Sequence, residues 1–288
     1  MRSYEDLGMN SWLYRFAVFT VILAMVVIVA GALLTSTNVA ARQSQSIVSP
    51  VVDVTLHRAL AIALTLFSLV LAIWTSRIQT PGWLRAVTWL SVVTLALCAA
   101  LGWAPAPLPV NAGVLHALLA HLCFSLIVAT AIGASTGWNL PPELVDGSSK
   151  PLLRPLAIAT PPIVFLQIAL GAAYRHDMTG IMPHMTVAMG VAFMALIGSS
   201  VVLQNFPGPA SLRRAAAALI SLVLAQICLG IAAFLMLLLN FAGTFYFVAI
   251  TIGHVLVGAS TLAASIVMAM HVWRSVQPKP ISAASSPV

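Results

Sequence analysis

The stretch TLHRALAIALTLFSLVLAIW, residues 55–74, decides the fold class. It is long and apolar enough to cross the roughly 30 Å hydrocarbon core of a bilayer as a helix. Its only charge is Arg58, and beside that arginine, at the mouth of the segment, stands His57. Working outward, the rest of the chain repeats this pattern. Of 288 residues, 61% are apolar and 7% charged, against about 25% charged in a soluble domain. This is the composition of an integral membrane protein. The net charge of +7 is expected to mark cytoplasmic loops rather than a nucleic-acid surface; no nucleic-acid partner is expected.

Eight apolar segments are long enough to span: roughly 13–35, 54–76, 84–103, 111–134, 154–174, 183–203, 213–239 and 245–273. Proline- and glycine-bearing breaks separate them, among them TPGW at 80–83 and NFPGPAS at 205–211. Glu5 and Asp6 precede the first segment, so it reads as a retained helix and not a cleaved leader. The polar linker 139–153 divides an N-terminal half, 1–138, from a C-terminal half, 154–275, and a disordered tail is expected over 276–288. If the spans alternate, Arg2, Arg15, Arg77, Arg85, Lys150, Arg154, Arg213, Arg214, Arg274 and Lys279 fall on one side. Arg42, Arg58 and Arg175 fall on the other. That asymmetry predicts cytoplasmic termini. The three cysteines, Cys98, Cys123 and Cys228, lie inside apolar segments and form no ligand or disulfide motif; buried packing is expected of them.

The halves read as a parallel duplication. QIALG (167–171) recurs as QICLG (226–230), with a weaker echo in CAALG (98–102), where Cys98 takes the glutamine position; Gly31 ends VIVAG. Small residues at such points let helices approach closely. Aligning VLHALLA with IGHVLVG sets His116 on His254. His57, His116, His184 and His254 each open an even-numbered span, so all four fall near the outer face, two per half. An imidazole in a low-dielectric bundle needs a partner. Two on facing helices make an axial pair for one haem iron; zinc is the rival, but it takes three or four ligands. Arg58 and Arg175 could pair with haem propionates, or Arg58 could snorkel to the interface. His121, about 140° around the helix from His116, reads as packing. His271 reads as a headgroup contact, and His176 lies in the loop after Arg175.

These residues resemble the haem A synthase family, through GALLTST (31–37), LHRALA (56–61), VLHALLAHLCFSLIVATA (114–131), FLQIALGAAYRH (165–176), LAQICLG (224–230) and GHVLVGASTL (253–262). The resemblance implies an all-α membrane protein of two pseudo-symmetric four-helix bundles. It implies that His57 and His116 hold the haem being oxidised, haem O to haem A, and that His184 and His254 hold haem b. The family oxidises a haem methyl group with oxygen from water and uses a glutamate three residues before the first histidine. Here that position is Val54, and Asp53 is the only acid in the loop; one position earlier it stays on roughly the same helix face and is the candidate acid/base group. The loop STNVAARQSQSIVSPVVDV (36–54) also lacks the family's GSGL…PDWP-like segment and its cysteine pair. The resemblance further implies a bacterial-type inner membrane, lipid contact, and haem O synthase or cytochrome oxidase assembly factors as partners; a homo-oligomer is open. The alternatives are a di-haem b-type cytochrome and an assembly protein without turnover. A transporter is weaker, because no carboxylate or lysine lies mid-span.

Overall fold

The computed structural model describes residues 11–43, 54–103, 110–242 and 244–278. Eight helices among them are long and apolar enough to cross a membrane. In chain order the elements are α1 (Ser11–Gln43), α2 (Val54–Arg77), α3 (Gly82–Trp103), α4 (Val110–Ala134), the short α5 (Thr136–Asn139), β1 (Val145–Asp146), α6 (Leu153–Arg175), α7 (Ile181–Asn205), α8 (Ala210–Leu238), α9 (Phe245–Ser275) and β2 (Val276–Gln277). The protein is therefore an all-α, eight-span membrane protein, as its hydropathy predicts. Helix is the only open-ended way to satisfy backbone hydrogen bonds in lipid. Many hydroxyls turn back onto their own helices: Thr20 donates to the Phe16 carbonyl at 2.8 Å and Ser125 to that of His121 at 3.0 Å.

Helices α1 to α4 contact one another in a closed ring, and α6, α7, α8 and α9 form a second. The rings meet where α9 packs on α1 and α4, and α4 packs on α6. One apolar core crosses this seam, joining Ala24 and Ile28 of α1, Leu64 of α2, Leu95 of α3, Cys123, Phe124 and Ile127 of α4, and Ala259 and Ala263 of α9. Small residues close the gaps. A methyl group on Gly133 would collide with the Trp83 ring.

The expected boundaries shift at three places. Helix α1 runs to Gln43, about two turns past the span the sequence predicts, so much of the supposed first loop is helical. The supposed disordered tail begins as structure: Val276 and Gln277 pair in parallel with Val145 and Asp146, and the Gly147 amide donates to the Gln277 carbonyl at 2.8 Å. Val276 is buried against the core of the second half. Cys98 and Cys123 are buried as expected, whereas Cys228 is exposed on α8.

This end of the molecule is laced shut. Arg274 donates to the carbonyls of Trp138 and Leu140 and lies over the Trp138 ring at 4.6 Å. Arg154 donates to the Trp273 carbonyl at 2.7 Å and covers that ring at 4.4 Å. His271, expected at the headgroups, is instead buried with its ring edge-on to Trp138, 5.3 Å between centroids.

Candidate functional site

The opposite end holds the four histidines. That they share one end follows from bonds across the seam. Arg175, closing α6, donates to the Ala32 carbonyl at 3.0 Å, to Thr35 Oγ1 at 2.7 Å and to Ser36 Oγ at 2.5 Å, all on α1. Thr251 of α9 donates to the same Ser36 hydroxyl at 3.0 Å. The ends of α1, α6 and the start of α9 are therefore side by side, as a parallel duplication requires.

Each histidine rests in a notch cut by a glycine of the preceding helix. A methyl group on Gly31 would come within 3.0 Å of His57 Cε1, one on Gly102 within 3.0 Å of His116 Cε1, one on Gly171 within 2.9 Å of His184 Cε1, and one on Gly230 within 3.1 Å of His254 Cε1. The same contact is made four times, once per antiparallel helix pair. Any residue larger than glycine would push the ring away. Independent core histidines would not repeat it.

The notches bring the rings together in pairs. The His57 and His116 centroids are 6.4 Å apart with the planes at 64°; those of His184 and His254 are 6.2 Å apart at 75°. A metal bound to an imidazole nitrogen at about 2.0–2.1 Å lies roughly 3.2 Å from the ring centroid, so two imidazoles on opposite sides of one ion stand about 6.3 Å apart. Both pairs have that spacing. Among the described residues no three His, Cys, Asp or Glu side chains converge, so each pair offers two protein ligands. That donor set suits an iron whose other four positions are filled by a porphyrin.

One turn before three of these glycines, Gly102, Gly171 and Gly230, stands a side chain that touches the ring. Gln167 Nε2 donates to His184 Nδ1 and to the His184 carbonyl, at 2.9 Å each. Gln226 Nε2 lies 3.1 Å from His254 Nε2. Cys98 Sγ takes the same place beside His116, 3.4 Å from Nδ1 and 3.5 Å from its carbonyl, while His116 Nδ1 donates to the Cys98 carbonyl at 3.0 Å. The repeat QIALG, QICLG, CAALG carried this signal. The close approach it promised is that of a histidine from the next helix.

Arg58 donates to the Gly102 carbonyl at 3.0 Å and lies 5.3 Å from the Trp103 ring, so it is tied to the His116 notch and does not merely snorkel. The Nε atoms of Arg58 and Arg175 are both buried without a hydrogen-bond partner, as are His57 Nδ1, His254 Nδ1, and the amide oxygens of Gln167 and Gln226. Buried polar groups left unmatched are costly, and their gathering around the histidines fits a polar, acid-bearing guest. Asp53 lies outside the described residues. His121 is buried and donates to the Ala117 carbonyl at 2.7 Å, a packing role as expected. His176 caps α6 and packs on Gly113, where an added methyl would meet its Cε1 at 2.6 Å. In comparison with known proteins, no family profile matches the chain, and no curated sequence does.

Proposed function

We propose that the protein is a haem-binding membrane oxidoreductase of the haem A synthase type, which oxidises a methyl group of haem O toward the aldehyde of haem A. The observation that carries this reading is the fourfold glycine–histidine notch, resolved into two pairs whose rings are close enough to hold one metal between them. His57 and His116 hold the substrate haem; His184 and His254 hold haem b. A haem held by His184 and His254 would supply a one-electron redox centre, and His57 and His116 would hold the haem whose methyl group is oxidised.

The rest falls to the chain itself. The glycines leave the imidazoles room to approach the preceding helix closely. Arg58 and Arg175 each keep one buried N–H unmatched, suited to a propionate oxygen. Conversion of methyl to aldehyde takes up one water oxygen and releases four protons and four electrons, the electrons going to an external acceptor. A proton acceptor is needed beside the first pair, and Asp53 is the nearest acid in sequence. The distribution of Lys and Arg supports a histidine end facing away from the cytoplasm, and the family resemblance supports a bacterial-type inner membrane. Haem O synthase or oxidase assembly factors are the natural suppliers and receivers.

Val54 at the family's glutamate position favours one second reading, a di-haem b-type cytochrome that keeps the scaffold without the chemistry. Expression with and without a haem O supply, followed by extraction and mass identification of the haem, separates the two. Haem A and its alcohol precursor, appearing only with haem O and lost in Asp53→Asn, support the enzyme. Two haem b per chain, unchanged by haem O, support the cytochrome. An Asp53→Asn variant of undiminished yield removes that residue from the mechanism.

A further inference from the structure

Away from the histidines, an open groove of about 230 Å³ runs along the seam between the two rings. Helix α9, which packs on both α4 and α8, floors it with Ser260, Ala264 and Val267. Phe124 and Val128 of α4 form one wall and Ala218 of α8 the other. The Ser260 hydroxyl is turned back onto the Leu256 carbonyl at 2.9 Å, so the groove presents hydrocarbon throughout. From Ser260 to Val267 the floor is about 10 Å long at the rise of an α-helix, and it lies within the membrane spans. An apolar cavity of about 150 Å³ already admits benzene, whereas a helix with its side chains is about 10–12 Å across. The groove therefore fits one hydrocarbon chain and is too small for a partner's helix.

The end of the groove toward the laced side of the molecule is charged. The exposed Arg214 stands one turn before Ala218 on α8. Its Nε donates to the Ala210 carbonyl of its own helix at 3.3 Å, and its terminal nitrogens donate to no other described residue. Glu143, packed on Gly208 in the loop before α8, makes no ion pair with it. One turn beyond Val267 on α9 comes His271, and the charges of both Arg274 and Arg214 bear on it, so the two arginines gather at one place. Trp138 lies beside them, its ring 4.6 Å from Arg274 and 5.3 Å from the His271 ring. Basic pockets between transmembrane helices hold anionic lipid headgroups, and a guanidinium suits phosphate. We infer that the groove binds one anionic phospholipid of the leaflet at the laced end, with an acyl chain laid on α9 between α4 and α8 and its phosphate on Arg214, in the field of Arg274. Such a lipid bridges the two halves, since its chain touches α4 of one and α8 of the other.

The full-length protein, purified in a neutral detergent and washed free of lipid, is titrated with phosphatidylglycerol or with phosphatidylcholine of the same chains, and bound lipid is counted by native mass spectrometry. One phosphatidylglycerol should bind ahead of the rest, roughly fivefold or more tighter than phosphatidylcholine, the effect of one basic residue beside an anionic headgroup. Arg214→Gln should erase that preference. Arg77→Gln, at the same end but on α2, away from the groove, should leave it intact. Ala218→Leu, which fills the groove, should weaken the first site for both lipids. Glycerol phosphate, a headgroup without chains, should not displace the bound lipid. A preference that survives Arg214→Gln, or that falls equally in Arg77→Gln, overturns the inference. So does a first site indifferent to Ala218→Leu, or one that glycerol phosphate empties. Arg214, Arg77 and Ala218 are all exposed, so loss of the fold does not stand in for loss of lipid.

Discussion

The two ends of the bundle are built from the same helices but differ in how fully their buried polar groups are matched. At the clamped end, Arg274 and Arg154 donate to the Trp138, Leu140 and Trp273 carbonyls, with Arg154 Nε alone left unmatched there, and even the start of the tail is paired. At the histidine end, Arg58, Arg175, His57, His254, Gln167 and Gln226 all keep a buried polar atom without a partner. A membrane protein tolerates unmatched polar groups poorly. Among the described residues six of the eight such atoms lie at the histidine end, the others being Ser68 Oγ and Arg154 Nε; that excess around repeated glycine notches separates a site from a scaffold.

The contrast can be broken in order of expected effect. His57→Ala or His184→Ala should each remove one haem per chain, read by pyridine haemochrome assay. Haem content equal to the wild type's in both variants would dissolve the site. Trp138→Ala, at the other end, strips the stacking surface of Arg274, His271 and Trp83. A loss of up to about 3 kcal/mol in stability, measured as a lower thermal midpoint, should come with unchanged haem content. A matching loss of haem would show that the ends are not separate. Arg175→Ala removes the hydrogen bonds that carry the second half onto α1. Charge-assisted bonds contribute about 1.5–3 kcal/mol, and unlike Trp138→Ala this variant should weaken haem retention as well. Gly171→Ala and Gly230→Ala should cost about 1–3 kcal/mol through overpacking. Gly171→Ala should be the worse of the two, since its added methyl would lie 2.9 Å and not 3.1 Å from the ring; differential loss of the second-half haem checks the order.

The smallest effect lies in the linker, outside the spans. The Ser148 amide donates to Asp146 at 2.8 Å and holds that carboxyl below its ordinary value. A depressed carboxyl favours the folded linker above its unfolded pKa and loses that contribution as pH falls through the folded one. Protease nicking of the linker should therefore rise only below about pH 4, and Asp146→Asn should flatten the profile. Onset near neutrality would point to another group.

Much of this was legible in the sequence, for reasons of period and position. Spans follow from unbroken apolar length, and the shared depth of the four histidines follows from alternation of direction. The duplicated QIALG and QICLG marked the glycines. What the repeat could not say is what they approach, because a notch is filled by a ring from another helix. The same limit hid the clamp. Val145 and Val276 are far apart in the chain, two-residue strands have no period, and His271 looks like any basic residue at a span end until Trp138 is folded onto it. The overrun of α1 escaped because polar residues such as Gln43 continue a helix once it has left the apolar layer.

The most direct measurement is haem per chain in the purified protein and in the two single variants His116→Ala and His254→Ala. Two haems in the wild type and one in each variant, with the lost haem differing between them in potential, are expected if each notch pair is a ligand pair. A wild type without haem, or variants that keep both, would contradict the assignment of the four histidines.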